Sequence, residues 1–260
     1  APLPVGFRAL SVCPVVFDVS VWEIFSSLCY GGTLHLADPS LVTDIPAFTI
    51  FLKEHGIQSG YFPPGVLSQL GIELQQDPEG IVLKRLLVGG EPIAGDVLER
   101  FATLPSKPLI VNGYGPTEAT VCATFFNYNS QDRNASRIPI GKALPNCSVM
   151  LLDHEWKPVQ TGSTGQIAIG GAGLARGYLG QKKLTEEKFV TIGGERYYLT
   201  GDYAHELNDG NLVFGGRSDF QVKVHGHRIE TGEIESVVES MPGIRAVSVV
   251  LLGESASEHS

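Results

Sequence analysis

Two short apolar runs that end in glycines constrain this chain more than anything else in it. They are "LKRLLVGGE" (Leu83 to Glu91) and "PLIVNGYG" (Pro108 to Gly115). Between them "PIAGDVLERFATL" reads as a helix with Pro92 at its start. An apolar run of strand length, a glycine turn, a helical pattern and a second such run form the signature of buried parallel strands. Upstream, "LHLAD" (Leu34 to Asp38) reads as a short strand. In "TDIPAFTIFLKEHG", Thr43 or Asp44 caps a helix, Pro46 suits its first turn and Gly56 suits its end. Ile45, Phe48 and Leu52 fall on one face of that helix. Alternation of this kind predicts a parallel α/β sheet. Ligands of such sheets sit beyond the carboxyl ends of the strands, where "VGGE" and "NGYGPTE" both stand.

The pattern changes near residue 121. "SVMLLD", "GQIAIGG", "RYYLTGDY" and "NLVFGGR" are short strands between turn signals, and Asp209-Gly210 marks a hairpin. After Gly216 it changes again. "DFQVKVHGHRIE" alternates like a hairpin, "GEIESVVESMPG" is an amphipathic helix and "AVSVVLLG" is one more strand. The expected organisation is therefore a partial α/β core over 1–120, an antiparallel, barrel-like β-rich unit over 121–217, and the start of a small α+β unit over 218–260.

Composition removes several classes of function. Hydrophobic residues make up 43% and charged residues 18% of 260, which is the balance of a globular chain. The formal net charge is −9 with no basic stripe, so nucleic acid is not an expected partner. No apolar run approaches the ~20 residues that span a bilayer. The four cysteines (Cys13, Cys29, Cys122, Cys147) include no C-x-x-C pair, which argues against a zinc site or a disulfide scaffold and for a reducing cytoplasm. The first residue is alanine, and the expectation is a segment of a longer protein.

Four places carry candidate chemistry. In "NGYGPTE", glycine backbone N–H groups can approach phosphate oxygens. Thr117 can donate to a phosphate, Glu118 can hold Mg²⁺, and the ring of Tyr114 can lie against a purine. A plain turn with a capping threonine is the alternative. In "YYLTGDY", Asp202 can accept from two vicinal ribose hydroxyls, or simply occupy a turn. In "GGRSDF", Arg217 can reach a ribose or phosphate, and Asp219 follows a glycine-rich break where a hinge can lie. In "FDVSVWEIF", Asp18 lies among apolar neighbours; a substrate ammonium would satisfy it, or it caps a helix starting at Ser20 or Val21. The glycine-rich "GGAGLARGYLG" opens no apolar helix and is a weak nucleotide signal, and Cys122 reads as a pocket-lining thiol rather than a nucleophile.

The blocks "FDVSVWEIF", "NGYGPTEAT", "GQIAIGGAGLARGYLG", "YLTGDY" and "GRSDFQVKVHGHRIETGEIE" occur in that order. Together they resemble the adenylation domains of non-ribosomal peptide synthetases, within the superfamily of adenylate-forming enzymes. The resemblance implies activation of a carboxylic acid by ATP and Mg²⁺, then transfer of the acyl group to the phosphopantetheine thiol of a peptidyl carrier domain, with a condensation domain in the parent chain. It implies that Asn112, Gly113 and Tyr114 border the adenine, with Gly90 and Glu91 nearby. Thr117 would touch the α-phosphate, Glu118 the metal, and Asp202 with Arg217 the ribose. Asp219 would be the hinge of the C-terminal unit. Asp18 would pair with the α-ammonium of an amino acid, beside Val19, Trp22, Tyr61, Leu87, Gly89, Gly113, Val121 and Cys122. A bulky apolar or aromatic amino acid suits that uncharged lining, although two aromatic walls, Trp22 and Tyr61, would instead narrow it.

The family's Ser/Thr/Gly-rich phosphate loop and its C-terminal lysine cannot be placed in this sequence, so the stretch alone is expected to adenylate poorly or not at all. His225 stands where arginine is usual, and Thr231 where leucine or valine is common. An acyl-CoA or aryl-acid synthetase of the same superfamily, or a catalytically silent scaffold module, are the competing readings.

Overall fold

The computed structural model describes residues 3–217, the strand backbones 221–224 and 227–230, and residues 234, 237, 238, 241, 244, 247 and 249. Asp219, His225 and Thr231 lie outside the described residues.

The first half is built as the alternation predicts. Strands β1 (Arg8–Ser11), β2 (Thr33–Leu36), β3 (Ser59–Tyr61), β4 (Arg85–Gly89) and β5 (Leu109–Tyr114) pair in parallel, in the order β2-β1-β3-β4-β5. The crossovers carry helices α1 (Val19–Leu28), α2 (Ile45–Glu54), α3 (Pro64–Gln76) and α4 (Gly95–Ala102). Alternate strand positions face opposite sides of the sheet. Leu86, Val88 and Ile110 belong to the main core with Phe48 and Leu52 of α2, Leu67, Leu70 and Leu74 of α3, and Leu98 and Phe101 of α4. Leu87 and Val111 face the other way, with Tyr61 and Val19 of α1. Helix α1 thus covers one face and the other three helices the opposite face.

Local signals account for several element ends. Asp44 caps α2 through its carboxylate, which accepts from the N–H of Ala47 at 3.0 Å. The helix expected from Pro92 begins at Gly95 instead. Residues 93 and 95 are engaged by a distant loop: Ile138 N–H donates to the Ile93 carbonyl and Gly95 N–H to that of Ala135, both at 2.9 Å. Helix α1 starts at Val19 with Asp18 at its N-cap, yet the Asp18 side chain makes no cap hydrogen bond.

The chain reverses after β5, and β6 (Thr124–Asn127) and β7 (Lys142–Ala143) extend the same sheet antiparallel. Sheet membership therefore changes between Ala143 and Cys147, later than the change of sequence pattern near residue 121. The second sheet is antiparallel, in the order β10-β11-β9-β8: β8 (Cys147–Leu152), β9 (Thr164–Gly171), β10 (Phe189–Ile192) and β11 (Glu195–Glu206), with β12 (Leu212–Arg217) also paired to β11. A short helix α5 (Lys182–Lys188) precedes β10. The expected Asp209-Gly210 hairpin joins β11 to β12. Ala119 and Ala123 of the loop region after β5 share a core cluster with Ile167, Ile169 and Ala204, which locks the two sheets together.

Beyond residue 217, β13 (Gln221–Val224) and β14 (His227–Glu230) form the expected antiparallel hairpin, Val222 opposite Ile229. Within the expected helix, residues 234, 237 and 238 are helical. The strand expected over 246–253 falls mostly outside the described residues. No helix among the described residues is long and apolar enough to cross a membrane.

Candidate active site

Two adjoining cavities open at the carboxyl ends of the parallel strands. One, of about 250 Å³, is lined by Asp18, Val19, Tyr61, Leu87, Gly89, Thr117, Val121 and Cys122, with Phe17 and Val16. The other, of about 310 Å³, is lined by Glu91, Pro92, Asn112, Arg137, Ile138, Ile140 and Phe214. Gly90, Gly113, Tyr114, Gly115, Asp202 and Arg217 line both and form the wall between them.

The smaller cavity follows from strand periodicity. Tyr61, Leu87 and Val111 are laterally registered on the α1 face, and Gly89 opposite Gly113 lies one step further along it. At that second row the side chains stop and space begins. Gly89 has φ +147°, and a Cβ there would stand 2.1 Å from the carbonyl oxygen of Gly113. Only glycine fits this approach of two backbones. The Tyr61 hydroxyl donates to the Gly89 carbonyl at 3.2 Å, and burial holds its phenol pKa far above the ordinary value. Burial, then the negative charge of Asp18, push the Cys122 thiol up to about 12, so it lines the wall as a neutral group.

Asp18 is not capping its helix. Its carboxylate accepts the hydroxyl of Thr117 at 2.7 Å across the smaller cavity's rim. Thr117 opens a 3-10 turn, Thr117–Ala119, after which Thr120 (φ +59°) and Val121 (φ +67°) take left-handed backbone conformations. Two successive β-branched residues in that region are strained. The Thr120 hydroxyl, donating to the Gly173 carbonyl at 2.6 Å, helps hold them there.

Asp202 is placed by two irregularities. On one side of β11 the register against β9 shifts between Leu199 and Tyr203, and the Thr200 hydroxyl donates to the Ile167 carbonyl at 2.8 Å. On the other side, pairing with β12 shifts between Tyr203 and Ala204. Bulges of this kind re-aim side chains. Asp202, only 5% exposed, accepts the Tyr114 hydroxyl at 2.6 Å and pairs with the Arg217 guanidinium. Burial and the Asp202 carboxylate drive the Tyr114 phenol well above its usual pKa, so it remains a donor. Arg217 also donates to the Thr200 carbonyl at 3.1 Å.

Two sequence-predicted residues stand apart from the cavities. Trp22 lines neither; it packs against the cluster beneath, with the Arg85 guanidinium 5.3 Å over its ring. Glu118, 8% exposed, also lines neither, and its carboxylate accepts the Tyr178 hydroxyl at 2.6 Å. Burial and that carboxylate raise the Tyr178 phenol pKa. Asn112 borders the larger cavity and donates to the Pro139 carbonyl at 2.9 Å.

The family of AMP-binding enzymes matches residues 2–179 of this sequence. The chain belongs to that family. Within it the chain is part of an adenylation domain of the non-ribosomal peptide synthetase type. Tyrocidine synthase 1 of Brevibacillus parabrevis is 38% identical over 226 residues, covering 85% of this chain and 20% of that protein. Bacitracin synthase 3 of Bacillus licheniformis is 38% identical over 251 residues, covering 95% of this chain and 4% of that protein. The solved structure of holo-PA1221, an NRPS protein containing adenylation and PCP domains bound to vinylsulfonamide inhibitor, superposes with a TM-score of 0.82 at 32% identity. It is matched over 93% of this chain and 42% of its own. IdnL1 superposes equally well, with a TM-score of 0.82 at 30% identity, over 93% of this chain and 51% of its own. This adenylation domain thus spans a small part of the synthetases it matches and about half of the solved chains.

Several residues of the adenylation domain's cavities carry no signal in the sequence. Ile138 and Ile140 sit in "RIPIG" and Phe214 in "NLVFGGR", both alternating apolar stretches that read as ordinary core. Phe17 directly precedes Asp18 and was reachable from that neighbour.

Proposed function

We propose that this adenylation domain activates an α-amino acid with ATP and passes it to a phosphopantetheine thiol. The observation that carries this reading is the carboxylate of Asp18 at the rim of a cavity whose other charged lining residues, Asp202 and Arg217, are paired with each other in the wall shared with a second cavity. A buried or half-buried carboxylate favours a cationic partner, and an amino acid's ammonium supplies one.

In the proposed first half-reaction, a substrate carboxylate oxygen bonds to the α-phosphorus of ATP, and the bond to pyrophosphate breaks. Asp18 orients the ammonium, Thr117 donates to an α-phosphate oxygen, and the ring of Tyr114 lies along the purine. The ribose hydroxyls donate to Asp202, whose carboxylate oxygens each accept more than one hydrogen bond. Arg217 pairs with that carboxylate and orients it. Alignment of this kind removes most of the barrier in phosphoryl chemistry. In the second half-reaction, the carrier thiol attacks the acyl carbon and AMP leaves.

A magnesium ion is usually held by one or two carboxylates together with substrate phosphates, not by an all-protein cage. No group of three or more His, Cys, Asp or Glu forms such a cage among the described residues. Glu118, a single buried carboxylate adjoining Thr117, has the donor chemistry of a cation carried in on a nucleotide. When bound, the metal neutralises phosphate charge.

The lining of Phe17, Val19, Tyr61, Leu87, Val121 and Cys122 suits a bulky apolar or aromatic side chain. Trp22, packed beneath Arg85, leaves the cavity with one fewer aromatic wall. A peptidyl carrier domain, a condensation domain in the same longer chain and a cytoplasmic setting complete the proposal. The adenylation and PCP domains joined in PA1221 support the carrier.

Substrate-dependent pyrophosphate exchange in the synthetase that carries this chain tests the reading. Exchange with one or a few amino acids is expected. Exchange with a fatty or aryl acid and no amino acid would replace it with the synthetase alternative. Silence with every acid would leave a scaffold.

A further inference from the structure

The glycine-rich stretch "GGAGLARGYLG" has no part in either cavity, yet it grips the turn that carries Thr117 and Glu118 at three points. The Thr120 hydroxyl donates to the Gly173 carbonyl at 2.6 Å, the Ala175 N–H to the Glu118 carbonyl at 2.8 Å, and the Tyr178 hydroxyl to Glu118 Oε1 at 2.6 Å. The stretch is itself braced. Arg196 donates to the carbonyls of Ala175 and Arg176 at 2.7 and 2.9 Å, and its guanidinium stacks 4.3 Å over the Phe189 ring. The Tyr178 ring meets Phe189 edge-on at 5.8 Å, and its N–H donates to the Thr185 hydroxyl at 2.9 Å. Gly177 has φ +143°, and a Cβ there would collide with Thr185 at 2.4 Å, so the bend that delivers Tyr178 admits only glycine.

We infer that Tyr178 is a positioning residue for Glu118: its hydroxyl fixes the carboxylate orientation in which Glu118 meets the cation of a metal-bound nucleotide. The inference rests on the nucleotide-binding reading of the site. A glutamate carboxylate, on three rotatable bonds, swings unless it is held, and a metal ligand gains from being held before the metal arrives. Tyr178 does this from the loop between β9 and α5, 60 residues further along the chain, so the orientation of Glu118 also reports that this loop is docked on the turn after β5.

The test is calorimetric binding, to the synthetase module that carries this chain, of ATP with Mn²⁺ as the probe metal, and of ATP with EDTA. Tyr178→Phe keeps the ring against Phe189 and removes only the hydroxyl. It should weaken Mn²⁺-ATP binding about tenfold, as loss of one hydrogen bond to a charged group does, and leave metal-free ATP binding nearly unchanged. Tyr197→Phe is the control: it lies on the neighbouring strand β11, its hydroxyl donates to Glu195 at 3.1 Å, and its removal should change metal dependence little. Equal weakening of both nucleotide forms by Tyr178→Phe would make the bond a mere tie between loop and turn and overturn the inference, as would unchanged Mn²⁺-ATP affinity. If the unaltered module binds neither form, the nucleotide reading fails first.

Discussion

The Thr117 hydroxyl donates its only proton to the carboxylate of Asp18, 2.7 Å away and 99 positions earlier in the chain. In the proposed reaction each of these groups has another partner, a phosphate for Thr117 and an ammonium for Asp18. A hydroxyl with one proton cannot serve the carboxylate and the phosphate together. An arriving ammonium satisfies Asp18 and releases the Thr117 proton for the phosphate.

The two substrates should therefore bind with positive linkage. ATP affinity is expected to rise about fivefold when the amino acid is present, the lower end of ordinary coupling between sites. Thr117→Val should abolish most of that coupling while leaving amino-acid affinity nearly intact. Paired calorimetric titrations read both quantities. ATP affinity indifferent to the amino acid in the unaltered protein would refute the exchange of partners.

Asp18→Ala removes the ammonium partner and leaves the wall otherwise intact. Amino-acid binding should weaken about a hundredfold, within the range for truncating one member of a hydrogen-bonded charge pair. Binding of ATP alone should be unchanged or slightly tighter, because Thr117 is released. Equal loss of both would make Asp18 structural.

Gly89 and Gly90 are neighbours with very different tolerances. Gly89→Ala drives a methyl to 2.1 Å from the Gly113 oxygen, whereas a methyl at Gly90 first meets the Tyr61 hydroxyl at 3.7 Å. Thermal denaturation should show Gly89→Ala costing about 4 kcal/mol from overlap and backbone strain together. Gly90→Ala should cost about 1 kcal/mol, the penalty of its positive φ. Equal costs would mean the two strands separate freely at this point.

Arg217 and Asp202 are paired with side chains only 14% and 8% exposed. Arg217→Met leaves the carboxylate buried beside Tyr114 and should destabilise the fold by about 3 kcal/mol, as breaking a buried pair does. Tyr114→Phe should cost about 1 kcal/mol. The two changes share one carboxylate, so the double variant should depart from additivity in a urea-denaturation cycle. Strict additivity would show that the two contacts act independently.

Cys122 gives a pH signature. Its thiol is raised from 9.0 to about 12, a span of three pH units, so near pH 8 its thiolate is about a thousandfold scarcer than that of an ordinary thiol. Alkylation of Cys122, followed by peptide mass spectrometry, should be correspondingly slow and should quicken tenfold per pH unit. The native state holds this proton more tightly than the unfolded chain. The associated stability is thus present below about pH 9 and is lost as pH rises towards 12. Rapid labelling of native Cys122 at neutral pH would contradict its burial in the cavity wall.

By itself the sequence determined the alternation of strand and helix, the capping of α2 by Asp44 and the placement of glycines at strand ends. These are local matters, decided by neighbours within a few positions and by which face of an element is apolar. Convergence was another question. That Asp18 meets Thr117 instead of capping α1, that Glu118 is held by Tyr178, that Trp22 packs beneath Arg85, and that Ile140 and Phe214 close the larger cavity were decided only in three dimensions. Each depends on how crossovers and two sheets dock. A side chain's partner there is chosen by burial and unsatisfied hydrogen bonds across sixty to a hundred residues, and no local periodicity carries that information.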